Sequence, residues 1–121
     1  MPDNARVFVA EDDSRWQSAI VKSVGKGGHT VTHTAQTKAD ALSQIPTLES
    51  SGVQVAIVDG NLTQGISSGN DGREIVAAIR SQAPNIKIIG FSASNTISGV
   101  DVSLDKTTFE PIDLANAVTE L

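Results

Sequence analysis

The sequence contains no cysteine, and this absence excludes a disulfide framework and thiolate metal sites. Aromatic residues make up only 3% of the 121 residues, which argues against the stacking surfaces that bind single-stranded nucleic acids. The net charge is −5 and the pI ≈ 4.8, so the protein lacks the excess of basic residues that is expected for non-specific nucleic-acid binding. The acidic composition is better suited to a protein partner or a cation.

Long hydrophobic runs are also missing from the sequence. No apolar stretch approaches the ~20 residues of a membrane span, and the first residues, Met1 to Asn4, have no secretory pattern. We therefore expect a cytoplasmic protein that does not enter a membrane. Because single domains cluster at about 100–150 residues, we expect one domain over residues 1–121.

Short runs rich in β-branched residues alternate with amphipathic segments along the chain. The predicted strands are Arg6–Ala10, His29–Ala35, Val53–Val58, Ile86–Phe91 and Val100–Asp105. The runs at Val53 and Ile86 are apolar almost throughout, which is typical of strands that are buried on both faces. Strands that alternate with helices indicate an α/β fold, in which helices cover both sides of a parallel sheet.

Apolar residues at helical spacing, together with start and stop signals, predict the helices. The first predicted helix is capped by Asp13 or Ser14, and the second opens at Thr37. The third spans Asp71–Gln82, and the last spans Glu110–Leu121. Three glycines, Gly25, Gly27 and Gly28, are expected to end the first helix. In the second helix, Pro46 is expected to disturb the last turns.

The connection between the last two predicted strands is unusually short. Only Ala93–Gly99 separate Ser92 from the predicted strand near Val100, whereas a parallel crossover usually takes about a dozen residues or more. The segment also lacks the apolar stripe of a packed helix. We therefore expect the fourth helix of the alternation to be absent or reduced to a single irregular turn.

Chemically active side chains follow the ends of several predicted strands. They are Glu11, Asp12 and Asp13 after the first strand, Asp59 after the third, Ser92 after the fourth and Lys106 after the fifth. The carboxyl ends of parallel strands meet at one edge of the sheet, where ligands bind. Clustered carboxylates repel one another unless a cation joins them, and a hard divalent cation such as Mg²⁺ favours such oxygen ligands. We assign Asp13 to the cap of the first helix instead.

A carboxylate at such an edge can also act as the nucleophile in phosphoryl transfer. The transferred group then needs positive charge and hydrogen-bond donors on its oxygens, which Lys106 and Ser92 would supply. The residues at this edge are therefore compatible with phosphoryl transfer to a carboxylate, assisted by a divalent cation.

Four segments, taken in order, carry a resemblance to a known family. They are VFVAEDD (Val7–Asp13), VAIVD (Val55–Asp59), IIGFSA (Ile88–Ala93) and the strand-end Lys106. With these segments the sequence resembles the receiver domain of two-component response regulators. The resemblance covers essentially the whole chain and implies a flavodoxin-like, doubly wound sheet of parallel strands in the order 2-1-3-4-5.

The resemblance also implies a role for each site residue. Asp59 would accept a phosphoryl group from a histidine kinase or a histidine phosphotransfer protein. Mg²⁺ would be held by Glu11 and Asp12, with Asp12 as the direct ligand, by Asp59, and by the backbone carbonyl of Asn61. Ser92 and Lys106 would contact the phosphoryl oxygens. Such a domain passes a signal to a downstream protein and is not an enzyme, apart from its own phosphorylation and dephosphorylation.

Departures from the family pattern, above all the missing switch aromatic and the short crossover after Ser92, keep a second interpretation open. The loop Gly60–Gly72 is long, Thr107 follows the lysine where proline is usual, and Ser103 stands where the family has a switch aromatic. The alternative is a degenerate receiver that binds a protein partner without phosphorylation. A third interpretation, a phosphatase of the haloacid-dehalogenase type, rests on Asp59–Thr63 alone, and Asn61 replaces the second aspartate of that motif.

The remaining candidates have simpler explanations. His29 and His33 lie in or near the second strand, so packing or surface roles are favoured over phosphoryl transfer or metal binding. Trp16 is interpreted as a core anchor of the first helix. The glycines of the long loop are not followed by a Gly-Lys-Ser/Thr motif, so a flexible loop is favoured over a phosphate cradle.

Overall fold

The computed structural model describes residues 5–11, 13–59, 70–92, 99–105 and 116–118, and for residues 70–72, 92 and 105 it describes the backbone. The strands are β1 (Arg6–Ala10), β2 (Thr30–Ala35), β3 (Val55–Asp59), β4 (Lys87–Ser92) and β5 (Val102–Asp105). The helices are α1 (Ser14–Lys26), α2 (Lys38–Leu48) and α3 (Asn70–Gln82), and residues 116–118 are also helical. Every predicted strand is present, with ends that shift by up to two residues.

All strands run parallel in one five-stranded sheet with the order β2-β1-β3-β4-β5. This order confirms the doubly wound fold. The chain moves outward from β1 to β2 and then returns to the other side of β1, so the direction of winding reverses between β1 and β3. In sheets of this kind, ligands bind at the carboxyl ends of the strands beside that reversal.

The core consists of two apolar layers, one on each side of the sheet. Phe8, Ala10 and Val58 pack against α2 and α3, whereas Val9 and Ile57 point to the opposite side, toward α1. This alternation follows from the two-residue period of a strand. Every residue of β3 is buried, as expected for the strand at the centre of the sheet.

The N-terminus of α1 confirms that Asp13 is its cap. The Asp13 side chain accepts hydrogen bonds from the backbone N–H groups of Arg15 and Trp16, at 2.8 and 3.4 Å. The predicted glycines end this helix, because α1 stops at Lys26 and Gly27 is its C-cap, while Gly25 lies in the last turn. The chain reverses at Gly28, which has a φ of 90° and donates to Gly25 O at 3.1 Å, in the manner of a Schellman motif.

Helix α2 passes through Pro46, so the expected disturbance does not end it. Thr37 caps the helix by accepting the Asp40 N–H at 3.1 Å, and the helix continues to Leu48. Pro46 is exposed, while Ile45 and Leu48 on either side of it are buried in the core. Burial of these flanking side chains offsets the hydrogen bond that proline cannot donate.

The connection between β4 and β5 confirms the short crossover. β4 ends at Ser92 and β5 begins at Val102, so nine residues join them, and residues 99–101 are not helical. At most six residues, 93–98, remain for a helix, and these lie outside the described residues. Val100 was predicted to begin the strand, but it precedes β5 and packs on the α2–α3 side, whereas Val102 and Leu104 pack on the α1 side.

The end of the chain is described only in part. Residues 116–118 are helical, and Ala117 and Val118 are buried against the α1 side of the sheet. This agrees with their place in the predicted apolar stripe of the last helix, whose predicted bounds Glu110–Leu121 lie outside the described residues. Within the ranges given above, no helix has the length and apolar content needed to cross a membrane.

Candidate functional site

The register of β1 and β3 brings two carboxylates together. Ala10 is paired with Val58, so the next residues, Glu11 and Asp59, lie side by side at the carboxyl ends of neighbouring strands. Adjacent strands are about 4.8 Å apart. The Glu11 N–H continues the sheet by donating to Ala35 O of β2 at 2.9 Å. Both carboxylates therefore lie beside the reversal of winding between β1 and β3.

Both carboxylates are almost inaccessible to water. The exposed fraction is 0% for Glu11 and 6% for Asp59. Glu11 Oε2 accepts the backbone N–H of Asp13 at 3.3 Å, which ties it to the start of α1. Burying two neighbouring negative charges is costly, both because hydration is lost and because the charges repel. A site with this composition is suited to a positively charged ligand.

Strand β4 places Ser92 next to this pair. Asp59 is paired with Phe91, and Ser92 follows as the last residue of the strand. The ring of Phe91 packs edge-on against Trp16 of α1, with centroids 5.5 Å apart and planes at 80°. Trp16 is half-buried and packs against the core on the α1 side, which agrees with its predicted role as a core anchor of the first helix.

The structure brings together three of the six predicted site residues, namely Glu11, Asp59 and Ser92. The other three, Asp12, Asn61 and Lys106, lie outside the described residues. Ser92 is also paired with Asp105, the residue that precedes Lys106 in the sequence. In the described part of the chain, no three His, Asp or Glu side chains are grouped as metal ligands, and that part does not include Asp12.

The donors at this edge fit a hard cation. Glu11 and Asp59 supply carboxylate oxygens, which Mg²⁺ prefers over nitrogen and sulfur ligands. The two histidines lie elsewhere. His29 is buried, and its Nδ1 accepts the Ala5 N–H at 3.1 Å, while His33 Nδ1 is 2.9 Å from Thr32 Oγ1. The burial and hydrogen bond of His29 and the half-buried position of His33 agree with the packing and surface roles that were favoured for them.

Sequence reasoning missed an arginine that holds the β4–β5 connection. Arg80 of α3 donates to Gly99 O from Nε at 3.1 Å and from a terminal nitrogen at 2.7 Å. The same terminal nitrogen is 3.0 Å from Asp101 Oδ2. Nothing in the local pattern signals this contact, because it joins residues about twenty positions apart.

The environment of Asp101 shifts its acidity. Partial burial acts to raise the pKa of Asp101, but hydrogen bonds from the Ile88 N–H and from Arg80 oppose it. The positive charges of Arg80 and Lys87 act in the same direction as these hydrogen bonds. The net result is a pKa of Asp101 below its ordinary value of 3.8.

Comparison with known proteins gives matches only at the level of structure. No family model and no curated protein matches the sequence. The signal receiver domain of a modulated diguanylate cyclase from Desulfovibrio desulfuricans is similar over 98% of this chain and 93% of its own, with 19% identity and a TM-score of 0.77. A CheY-like receiver domain protein from Methanospirillum hungatei is similar over 97% of this chain and 92% of its own, with 20% identity and a TM-score of 0.77.

A third similar structure contains a phosphate analogue and a metal ion. It is the CheX–CheY–BeF3–Mg complex from Borrelia burgdorferi, similar over 96% of this chain and 87% of its own, with 14% identity and a TM-score of 0.80. Identities this low establish the fold alone. The chain therefore has the CheY-like fold of response regulator receiver domains, over nearly its whole length.

Proposed function

We propose that residues 1–121 form a receiver domain that accepts a phosphoryl group on Asp59 in a Mg²⁺-dependent reaction and signals by a conformational change. The observation that carries this proposal is the pair of buried carboxylates, Glu11 and Asp59, at the carboxyl ends of β1 and β3. The phosphoryl donor is a histidine kinase or a histidine phosphotransfer protein of the cytoplasm, and the phosphorylated domain acts on a downstream protein.

Asp59 is the nucleophile in this scheme. One of its carboxylate oxygens attacks phosphorus and forms an O–P bond as the P–N bond of the donor phosphohistidine breaks. The departing imidazole keeps the electron pair of the broken bond and takes up a proton from water. Pairing with Phe91 and burial between β1 and β4 restrict the motion of the Asp59 carboxylate, which favours one direction of attack.

The metal would be held by Glu11, Asp12 and Asp59, with the carbonyl of Asn61. When bound, Mg²⁺ supplies positive charge that offsets the carboxylates and the phosphoryl oxygens. Ser92 and Lys106 would donate hydrogen bonds to the transferred group, and an ammonium donor makes the stronger, charge-assisted bond. The position of Ser92 one residue beyond Phe91 supports its part in this arrangement.

The domain is not proposed as an enzyme acting on an external substrate. Transfer to Asp59 ends in an acyl phosphate, and hydrolysis of that group returns the starting protein. One observation favours the alternative of a receiver that binds a partner without phosphorylation. Ser103, which stands in the place of the switch aromatic, is exposed on β5 and has no ring that could turn inward.

Amide NMR spectra recorded with Mg²⁺ and beryllofluoride, or with acetyl phosphate, test the proposal. A phosphoryl acceptor shifts resonances around Asp59, Ser92 and Lys106, and Asp59→Asn abolishes the shifts. Intact-mass measurement should show one phosphoryl group in the wild type and none in Asp59→Asn. A protein that does not respond would be a binding module, and turnover of a phosphate ester would identify a phosphatase.

A further inference from the structure

Residues 99–101, which precede β5, make contacts with both α3 and the sheet. Arg80 reaches across from α3 to Gly99 O and to Asp101 Oδ2. From the sheet, Ile88 of β4 holds Asp101 through both its N–H and its carbonyl. We call these four residues, Arg80, Ile88, Gly99 and Asp101, the Arg80 clamp.

Within the Arg80 clamp, Asp101 makes the hydrogen bonds to β4 that a residue of β5 would otherwise make. Its N–H donates to Ile88 O at 2.9 Å, as a ladder residue would. Its side-chain Oδ2 accepts the Ile88 N–H at 2.8 Å, a bond that a backbone carbonyl would otherwise make. The β4–β5 ladder is thereby extended ahead of its first paired residues, Ile89 and Val102.

Gly99 has a geometry that only glycine accepts without strain. Its φ is +86°, and a Cβ atom there would lie 3.2 Å from Cγ1 of Val76 on α3. The close approach of the backbone to α3 brings Gly99 O within reach of both donor atoms of Arg80. Val100 then packs into the core on the same side of the sheet.

The Arg80 clamp adds to the few features that fix the register of β5. This strand is an edge strand of only four residues, paired with β4 alone. Val102 and Leu104 are half-buried on one face, and Ser103 on the other face is exposed. A slip of one residue would turn the apolar side chains to the opposite face and change which residue lies beside Ser92.

We propose that Arg80 is a positioning residue of the acceptor site, because the Arg80 clamp sets the start and the register of β5. In the observed register Ser92 is paired with Asp105, and Lys106 follows directly. This inference rests on the proposed function, in which Lys106 contacts the phosphoryl group. Arg80 acts through β5 and not by contact with phosphate or metal.

The test compares Arg80→Gln with Arg73→Gln. Both changes remove an arginine charge from α3, but Arg73 is exposed near the start of the helix, outside the clamp. The sole tryptophan, Trp16, packs against Phe91 beside Asp59 and reports titrations by fluorescence. Mg²⁺ alone and beryllofluoride in the presence of Mg²⁺ are titrated separately, and amide exchange is measured across Val102–Asp105.

Arg80→Gln should bind Mg²⁺ as the wild type does but bind beryllofluoride about tenfold more weakly, and its β5 amides should exchange about tenfold faster. Arg73→Gln should match the wild type in all three measurements. Equal beryllofluoride binding by the two variants overturns the inference and leaves the proposed function intact. A joint loss of Mg²⁺ and beryllofluoride binding in Arg80→Gln also overturns it, since positioning of β5 leaves the carboxylates in place.

A wild-type protein without any beryllofluoride response overturns the proposed function, and this inference with it. Should Arg80→Gln fail to fold, the comparison moves to Asp101. Asp101→Asn keeps an oxygen that accepts the Ile88 N–H, and Asp101→Ala does not. Asp101→Asn should therefore bind beryllofluoride more tightly than Asp101→Ala, and equal binding by the two would contradict the role of the clamp.

Discussion

The consecutive acids after β1 illustrate how neighbouring residues of the same charge take different roles. Glu11 is fully buried beside Asp59, whereas the Asp13 side chain accepts two backbone N–H groups at the start of α1. Asp13 could be assigned from the sequence because capping is a local interaction. Predicting that Glu11 lies beside Asp59 required either the family resemblance or the strand register, because the two residues are far apart in the chain.

Alanine substitutions should separate these roles. Asp13→Ala should lower the free energy of unfolding by about 1 kcal/mol through loss of the cap, while its Mg²⁺ affinity should stay close to that of the wild type. Asp12→Ala should weaken Mg²⁺ binding strongly, because it removes a proposed direct ligand. Urea unfolding and fluorescence titration of both variants provide the measurements. Unchanged Mg²⁺ affinity in Asp12→Ala would show that the ligand assignment is wrong.

The lowered pKa of Asp101 predicts a pH dependence of stability. A group whose pKa is lower in the folded state stabilises the fold above its unfolded-state value, here 3.8, and this contribution is lost as the pH falls through the folded value. The wild type should therefore exceed Asp101→Asn in unfolding free energy by more at pH 6 than at pH 3. Urea titrations at the two pH values would contradict this if the difference were constant or grew at low pH.

At the scale of elements, the sequence did not settle how Gly25 and Pro46 affect their helices, and it placed the start of β5 two residues early, at Val100. The first two are poor helix residues by local propensity, yet α1 and α2 continue through them because flanking apolar residues are buried. Val100 continues the alternation of β5 in the sequence, but it lies between the two residues that Arg80 contacts and packs on the opposite side of the sheet from Val102 and Leu104. In each case tertiary contacts override a local pattern.

Gly25 offers a direct test of this explanation. It lies in the last turn of α1, it is exposed, and a Cβ atom added there meets nothing within 4 Å. Gly25→Ala should raise the free energy of unfolding by about 0.4–1 kcal/mol, because alanine loses less backbone entropy on folding. Gly28→Ala is the matched control and should destabilise the protein, since Gly28 has a φ of 90°. Thermal and urea unfolding of the two variants should move in opposite directions.

At the scale of the whole molecule, the parallel α/β sheet was accessible from the sequence for a physical reason, whereas its strand order came from the resemblance to receiver domains. Strands buried on both faces show as continuous apolar runs, and helices between them force parallel pairing. The short crossover could likewise be predicted from chain length, since nine residues between Ser92 and Val102 leave little room for a helix. The Arg80 clamp could not be predicted, because it depends on how α3 lies against the end of that crossover.

The short β4–β5 crossover also restricts which parts of the protein could transmit a structural change from a phosphoryl group on Asp59 to a partner. Ser103 is exposed and has no aromatic ring to reorient, so under the proposed function we expect the signal to pass through the backbone next to the site. The segments that adjoin the site in the sequence are residues 60–69, after Asp59, and residues 93–98, after Ser92. The second of these is bounded at Gly99 by the Arg80 clamp.

We therefore expect beryllofluoride with Mg²⁺ to increase amide-exchange protection in residues 60–69 and 93–98, with the change ending at Gly99. This pattern would be an order–disorder switch around the phosphate, in place of rotation of an aromatic side chain. Hydrogen exchange with mass spectrometry measures it, and Asp59→Asn serves as the control that should show no change. A stable, already protected helix across residues 93–98 in the free protein would contradict the switch. In Arg80→Gln the change should spread past Gly99 into β5, because the contacts of Arg80 with Gly99 and Asp101 would be lost.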